Sequence, residues 1–186
     1  MAAAIIYVMG PSGAGKDTLL RYARERLASA PVAFAHRYIT RPPVAGDENH
    51  VALSVPEFRV RKAHGAFAMD WEAHGMHYGI GCEIEAWRRA GLVVVVSGSR
   101  QHFEQAAAGA PDVVPVMVTC APEVLARRLA QRGRESEAEI AERLTRKPTP
   151  ALAHPALVTL DNSGAVEVAG DKLIALLREL AHHRPG

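Results

Sequence analysis

The residues best suited to chemistry follow the first apolar run of the chain: Gly10-Pro11-Ser12-Gly13-Ala14-Gly15-Lys16-Asp17-Thr18. Glycines at this spacing let successive backbone N–H groups converge on a polyphosphate, the start of a helix adds a favourable dipole, and Lys16 can reach the outer phosphates. Where a serine or threonine usually meets Mg²⁺, this chain has Asp17 followed by Thr18, and either is a candidate metal ligand. The pattern predicts a site for a nucleoside triphosphate with Mg²⁺; ATP is the expected donor, although the pattern does not distinguish it from other triphosphates. The structural alternatives are a tight turn that happens to contain lysine and, for Asp17, an acidic residue favoured by the helix dipole.

The elements that must position this loop alternate between strands and helices. Short apolar runs bounded by turn residues predict buried strands over Ala4–Met9, Leu92–Val96, Val113–Val118 and Leu157–Leu160. Helical patterns cover Lys16–Leu27, Glu83–Ala90, Gln101–Ala108, Pro122–Gln131, Ser136–Arg146 and Val166–Leu180. We therefore expect an α/β fold with a central parallel sheet flanked by helices.

Two segments interrupt the alternation. The region from about 35 to 81 is rich in His, Pro, Gly and aromatic residues, which predicts an inserted subdomain of short antiparallel strands with a helix near Ser54–Ala63. The charged region from about 127 to 147 surrounds Gly133 and predicts a helical lid. The expected organisation is one domain over 1–186, with the core in 1–34 and 82–186.

Composition excludes several classes of protein. The chain has 186 residues, 48% of them hydrophobic, and a net charge of +2, which is too small for the basic field of a dedicated nucleic-acid binder. Cys82 and Cys120 are far apart in sequence, so neither a disulfide framework nor a zinc knuckle is expected. The apolar start, Met1 to Met9, is too short for a signal peptide or a membrane span. We expect a cytoplasmic protein without a membrane or nucleic-acid partner.

Other nucleotide-binding classes fit less well. The Asn-Lys-x-Asp motif of GTPases is absent, and 186 residues leave no room for the paired domains of a motor. A compact phosphoryl-transfer enzyme remains.

Four segments, in order along the chain, resemble the guanylate kinase family of nucleoside monophosphate kinases. They are the loop Gly10–Lys16, the segment Tyr38–Pro42 with Gly46-Asp47 behind it, the segment Phe67–Trp71 continuing to Tyr78-Gly79, and the stretch from Arg132 to Leu144. The resemblance implies a P-loop kinase fold, an acceptor-binding subdomain and a lid. The positions that read guanine and grip its phosphate in that family are altered here, to Val44, Ile80, Ser97 and Ser99. Guanylate kinase activity is therefore not expected, because a guanine edge would lose its partners.

The chain more closely resembles the branch of this family that phosphorylates ribose 1,5-bisphosphate to 5-phospho-α-D-ribose 1-diphosphate (PRPP) in phosphonate breakdown. The resemblance rests on Gly10–Asp17, His36–Pro42, Gly46–His50, Tyr78-Gly79 with Glu83–Glu85, and Val94–Arg100. A sugar bisphosphate has no base to read and two phosphates to hold, which suits hydroxyl groups and additional arginines.

The resemblance also assigns roles. It implies that Lys16, Arg132 and Arg143 act on the transferring phosphoryl group, and that the acceptor contacts Arg37, Arg41, Asp70, Tyr78, Ser97 and Arg100. Each arginine could instead form a surface ion pair. His64, His74 and His77 could form a zinc site with Asp70, but this region matches an acceptor segment, which favours ordinary polar histidines.

Two other functions stay open: a nucleotide kinase of altered base preference and a non-catalytic binding module.

Overall fold

The apolar runs of the sequence lie side by side in one parallel sheet. The computed structural model describes residues 2–42, 49–110, 112–132 and 152–182. The spatial order of this core sheet is β2 (Val32–Phe34), β7 (Val93–Ser97), β1 (Ile5–Met9), β8 (Val113–Thr119) and β9 (Val158–Asp161), with every neighbouring pair parallel. β1 and β7 are buried along their whole length. Because helices cover both faces, these strands need continuous apolar runs instead of alternation.

The two faces of β1 belong to two hydrophobic clusters. Ile6 and Val8 pack in the cluster that includes Leu19 of α1 (Lys16–Arg26) and Leu173 of α6 (Val166–His182). On the other face, Ile5, Tyr7 and Met9 pack in the cluster that includes side chains of α3 (Glu83–Arg89) and α4 (Phe103–Ala108). Helix α1 begins at Lys16, seven residues after β1 ends at Met9. The loop between them therefore lies at the carboxyl edge of the core sheet.

A second sheet, which we call the acceptor sheet, has the order β4 (His50–Ala52), β3 (Arg37–Ile39), β6 (Met76–Gly81) and β5 (Phe67–Ala73). β6 is antiparallel to both of its neighbours, and β3 is parallel to β4. Helix α2 (Val55–Ala63) packs on one face, where the ring of Phe58 stacks on that of Phe67 at a centroid distance of 4.6 Å. Trp71 and Ile80 join the core cluster that contains Tyr7, so the acceptor sheet rests against the core sheet.

The sequence-based α/β prediction is confirmed, with most element bounds within one or two residues of those observed. The edge strand β2, which has three residues and follows Pro31, is not among the strands that the sequence predicts. The helix predicted over Gln101–Ala108 is a 3-10 turn at Arg100–His102 followed by α4. The helix predicted over Ser136–Arg146 lies outside the described residues. In the described parts of the chain, no helix combines the length and apolar composition that crossing a bilayer requires.

Candidate active site

The loop between β1 and α1 is shaped by its glycines. Gly10 has a φ of +155°, and a Cβ atom there would lie 2.3 Å from the carbonyl oxygen of Val118 in β8. Gly15 caps α1 in the left-handed conformation, with a φ of 84°. The loop can therefore lie close against the sheet at the start of a helix, and a glycine-rich loop in that position is the arrangement that binds phosphate.

Two side chains from distant elements fasten this loop. Asn162, which follows β9 and is 3% exposed, donates from Nδ2 to the Ala14 carbonyl at 2.7 Å. Arg128 of α5 (Pro122–Arg132) donates from Nη1 to the same oxygen at 3.2 Å. Leu125 and Leu129 of α5 also pack beside Gly13, where a Cβ atom would approach them within 3 Å. The proximity of Asn162 and Arg128 to the loop depends on the sheet order, so the sequence alone predicts no role for either residue in the site.

Lys16 lies folded along the loop that it follows. Its Nζ donates to the carbonyl oxygens of Gly10 at 2.7 Å and Pro11 at 3.1 Å. The ammonium group is thus already positioned at the cradle formed by the backbone amides, where the outer phosphates of a nucleotide would lie.

Asp17, the residue after this lysine, reaches the acceptor sheet. Its Oδ1 lies 3.3 Å from Nη2 of Arg37 in β3, and the two side chains are 32% and 13% exposed. The pair connects the phosphate-binding loop to the first strand of the acceptor sheet. The sequence predicts metal binding for Asp17 and substrate binding for Arg37, but it contains no signal that the two side chains meet.

The register of the acceptor sheet selects the residues that face the core. Residues opposite each other in the ladders share a face, so Arg37, Ile39 and Tyr78 lie on one side together with Trp71. Tyr78 stacks on Trp71 with parallel rings at a centroid distance of 5.4 Å. Arg37 and Tyr78, both predicted to contact the acceptor, are therefore brought to the same face.

The segment after β7 is held by a buried tyrosine. The Tyr7 hydroxyl donates to the Ser99 carbonyl and accepts from the Ser99 amide, both at 3.0 Å. Burial raises the pKa of Tyr7 to about 12, although the Ser99 hydrogen bond acts in the opposite direction. This contact fixes the turn between Ser97 and Arg100, the two residues predicted here to bind substrate. The sequence pattern predicts only that Tyr7 lies in a buried strand.

The remaining predicted residues lie in different surroundings. Arg41 follows β3 and is half-buried, and Arg100 opens the 3-10 turn after β7. Asp70 pairs with Lys62 of α2, and the register places it opposite Gly79, on the sheet face away from Arg37. The structure does not bring Asp70 together with Arg37 and Tyr78, and its role in binding ribose stays a prediction.

Two histidines near Asp70 in sequence, His64 and His77, contact different partners. Nδ1 of His64 lies 2.8 Å from the Val60 carbonyl oxygen, and His77 stacks on Phe58 at a centroid distance of 5.3 Å. Among the described residues, no group of three or more His, Cys, Asp or Glu side chains is arranged to hold a metal ion.

The predicted lid lies mostly beyond the described residues. Helix α5 ends at the predicted catalytic Arg132, one turn after Arg128, whose side chain reaches the phosphate-binding loop. Arg143 and the acceptor-side residues Val44 to Asp47 lie outside the described residues.

The residues present suit the groups that the sequence predicts. The glycine loop leaves a space that a Cβ atom would fill, and it lies at the start of a helix. Together with the adjacent ammonium group of Lys16, this loop fits a triphosphate. Asp17 and Thr18 supply a carboxylate and a hydroxyl oxygen on the first turn of α1, and such hard oxygen ligands are those that Mg²⁺ prefers.

The sequence matches the AAA domain family over residues 6–143. Several curated relatives carry the name ribose 1,5-bisphosphate phosphokinase PhnN. The relative from Desulfomicrobium baculatum is 51% identical over 94% of both chains, and that from Burkholderia pseudomallei is 52% identical over 95% of this chain and 96% of its own. The relative from Laribacter hongkongensis is 56% identical over 96% of this chain, which spans only 43% of that longer protein.

Solved structures show a similar fold at low identity. A guanylate kinase from Anaplasma phagocytophilum has a TM-score of 0.68 and 17% identity, with 96% of this chain and 86% of that chain covered. A gluconokinase from Sinorhizobium meliloti has a TM-score of 0.54 and 21% identity, with 97% of this chain and 94% of that chain covered. These comparisons establish the P-loop kinase fold that the sequence predicted.

Proposed function

Since this chain belongs to the ribose 1,5-bisphosphate phosphokinase family, we propose that it transfers the γ-phosphate of ATP to the 1-phosphate of ribose 1,5-bisphosphate. The products are PRPP and ADP. The observation that carries this conclusion is the 51% identity to a full-length relative of that name over 94% of each chain. The protein is an ATP-dependent phosphotransferase of phosphonate catabolism, and its substrate is a small sugar phosphate.

The acceptor needs little chemical activation. A phosphate monoester has a second pKa of about 6, so an oxygen of the 1-phosphate is ionised at neutral pH without a strong general base. That oxygen attacks the γ-phosphorus of ATP as the bond to the β-phosphate oxygen breaks, and ADP leaves. Catalysis therefore depends on positioning the two substrates and neutralising their charge.

The chain's own residues supply most of this positioning. Backbone amides of residues 10–16 hold the phosphates, with Lys16 at the outer two. Arg132 and Arg143 close over the transferring group, which also excludes water. The path of α5 supports the role of Arg132, because this helix packs on the loop at Gly13 and Ala14. Arg41, Tyr78 and Arg100 complete the acceptor side.

Magnesium belongs to the same proposal. When bound, the ion would neutralise charge on the β- and γ-phosphate oxygens. Asp17 and Thr18 are the residues that would hold it, either directly or through water. We place the reaction in the cytoplasm, where ATP and magnesium are plentiful.

A nucleotide kinase of altered base preference is the second candidate from the same fold. It is less favoured because Arg37 and Ser97 line the side of the site that would have to receive a base. A non-catalytic binding module is disfavoured by Lys16, which lies at the phosphate cradle.

An assay coupled to ADP formation distinguishes the three functions when ribose 1,5-bisphosphate, GMP and AMP are offered separately with ATP. We expect turnover with the sugar bisphosphate, and PRPP as the product by mass spectrometry. Turnover with GMP alone would overturn the proposal, and no turnover with any acceptor would favour the binding module.

A further inference from the structure

A cavity lies where the chain passes from the core sheet to the acceptor sheet. It is an open concavity that encloses about 410 Å³ when the solvent space at its mouth is included. Its lining comes from α1, β7, the segment from β2 to β3 and the residue before β4, and it includes Asp17, Arg21, Arg24, Arg37, Asn49 and Ser97. Nothing in the transfer step described above uses Arg21, Arg24 or Asn49.

The charge of the lining suits a dianion. Among the lining residues that the structure describes, three arginines and one carboxylate give a formal charge of +2. A phosphate monoester carries a charge of about −1.5 to −2 at neutral pH. The side chain of Arg37 is 13% exposed and is oriented by Asp17. Leu20, Phe34 and Val95 form apolar walls that limit screening by water and so strengthen the attraction.

Ser97 gives an independent indication of a ligand. It is the last residue of β7 and is 7% exposed, and its Oγ is buried without a hydrogen-bond partner among the described residues. Such a hydroxyl costs free energy unless something pairs with it. It also lies beyond the carboxyl end of a central parallel strand, where open α/β sheets bind their ligands.

The wall of the cavity is fixed in place. The side-chain Nδ2 of Asn49 donates to the backbone carbonyl oxygens of Phe34 at 3.2 Å and Ala35 at 3.3 Å. The backbone carbonyl of Asn49 accepts from the backbone amide of Arg37 at 3.0 Å. These bonds join the end of β2 to the start of β4. The cavity is therefore largely preformed, which reduces the entropy that a ligand must overcome.

We propose that this cavity binds the non-reacting 5-phosphate of the sugar bisphosphate, with Arg37 and Arg21 as the residues that determine specificity. This inference rests on the proposed function. Lys16 and Asp17 are adjacent, and Asp17 is paired with Arg37, so one end of the acceptor meets the transfer site while the other enters the cavity. The cavity arginines disfavour a neutral nucleobase, because a neutral group could not offset the free-energy cost of removing water from their charges.

Ribose 5-phosphate tests the cavity without any catalytic step. We would measure its binding by calorimetry to the wild type, Arg21→Ala, Arg37→Ala and Arg26→Ala. Arg26 is the matched control, because it ends the same helix and its guanidinium lies 3.5 Å from the Tyr22 ring centroid, outside the cavity lining. We expect the affinity to fall roughly 10- to 100-fold in the two cavity variants, the loss typical of a charge-assisted hydrogen bond, and to stay unchanged in Arg26→Ala. Equal affinities in all four proteins, or no binding by the wild type, would overturn the proposal.

Kinetics with two acceptors separate this proposal from the proposed function. Ribose 1-phosphate keeps the reacting group and lacks the 5-phosphate, so Arg21→Ala should raise KM for the bisphosphate and leave ribose 1-phosphate nearly unaffected. Equal losses on both acceptors would contradict the assignment of the cavity while transfer itself remained established. A third outcome is that ribose 5-phosphate binds in a way that depends on Arg21 but no phosphoryl group is transferred to the bisphosphate. That outcome would refute the proposed function and support the assignment of the cavity as a phosphate site.

Discussion

Asp17 and Arg37 form an ion pair between the two halves of the site, with Oδ1 3.3 Å from Nη2. One residue belongs to the first turn of the helix that follows the phosphate-binding loop, and the other belongs to the first strand of the acceptor sheet. The pair orients the arginine that we place in the cavity, and it positions a carboxylate beside Lys16. A change on either side should therefore affect binding on the other.

A double-mutant cycle measures this connection. Asp17→Asn and Arg37→Ala should each lower kcat/KM for the bisphosphate, and the double variant should lose less than the product of the two effects. The coupling expected for two residues in direct contact is about 1 kcal/mol. Additive losses would show that the pair does not act as a unit.

The Mg²⁺ requirement of the same variants tests the metal assignment. If Asp17 holds the ion, Asp17→Asn raises the Mg²⁺ concentration that gives half the maximal rate, whereas Arg37→Ala does not. An unchanged requirement in Asp17→Asn would remove Asp17 from the metal site and leave Thr18 as the candidate.

Lys16→Ala should abolish transfer and leave the fold intact. The ammonium neutralises charge on the outer phosphates, and losing one such cation typically costs about a thousandfold or more in rate. The hydrogen bonds that it forms to Gly10 and Pro11 are solvent-accessible or only partly buried, so little stability depends on them. The test is the ADP-coupled rate together with circular dichroism and thermal unfolding, with exposed Lys172→Ala as the control. Turnover like that of the wild type would refute the assignment of this loop.

Much of the fold is predictable from local patterns. The strand β1 and the helix α1 follow from a continuous apolar run and from glycines that end before Lys16. Both signals lie within about 25 residues of sequence and need no knowledge of distant contacts. The same holds for α6, whose buried positions recur at helical spacing.

The parts of the site that sequence could not predict are long-range contacts. Asn162 and Ala14 are 148 positions apart, and they meet because β9 lies beside β8 at the edge of the core sheet. Tyr7 contacts Ser99 across 92 positions for the same kind of reason. Neither pairing leaves a local pattern. The available signal for Asn162 is that it is a polar residue two positions after the predicted strand Leu157–Leu160.

Asn162→Ala should weaken both stability and nucleotide binding. The amide is buried and its hydrogen bond to the Ala14 carbonyl is 2.7 Å long, so its loss should cost about 1 to 3 kcal/mol of unfolding free energy. The loop it fastens holds the phosphates, and KM for ATP should rise more than KM for the sugar. Urea unfolding and steady-state kinetics measure the two effects. A stable variant with an unchanged KM for ATP would contradict this role.

Ser97→Ala should separate stability from binding. Removing a buried hydroxyl that has no partner among the described residues should leave the unfolding free energy unchanged or raise it by about 1 kcal/mol. The same change removes a group available to the acceptor, so KM for ribose 1,5-bisphosphate should rise. Most core substitutions lower stability, and this opposite pattern is typical of a residue selected for ligand binding. Lower stability with an unchanged KM would show that Ser97 has only a structural role.

Tyr7→Phe should change the alkaline stability of the protein. Burial raises the pKa of Tyr7 from 10.0 to about 12 in the folded chain. The neutral phenol is thus favoured by folding, and its contribution is fully present below pH 10 and is lost as the pH rises through about 12. Over that interval the wild type should lose about 2 to 3 kcal/mol more than Tyr7→Phe. Urea unfolding of both proteins across the interval measures this difference. At neutral pH the variant should also lose the two bonds to Ser99, and since these fix the turn before Arg100, KM for the acceptor should rise. Parallel stability profiles for the two proteins would show that the phenol is not buried as the structure places it.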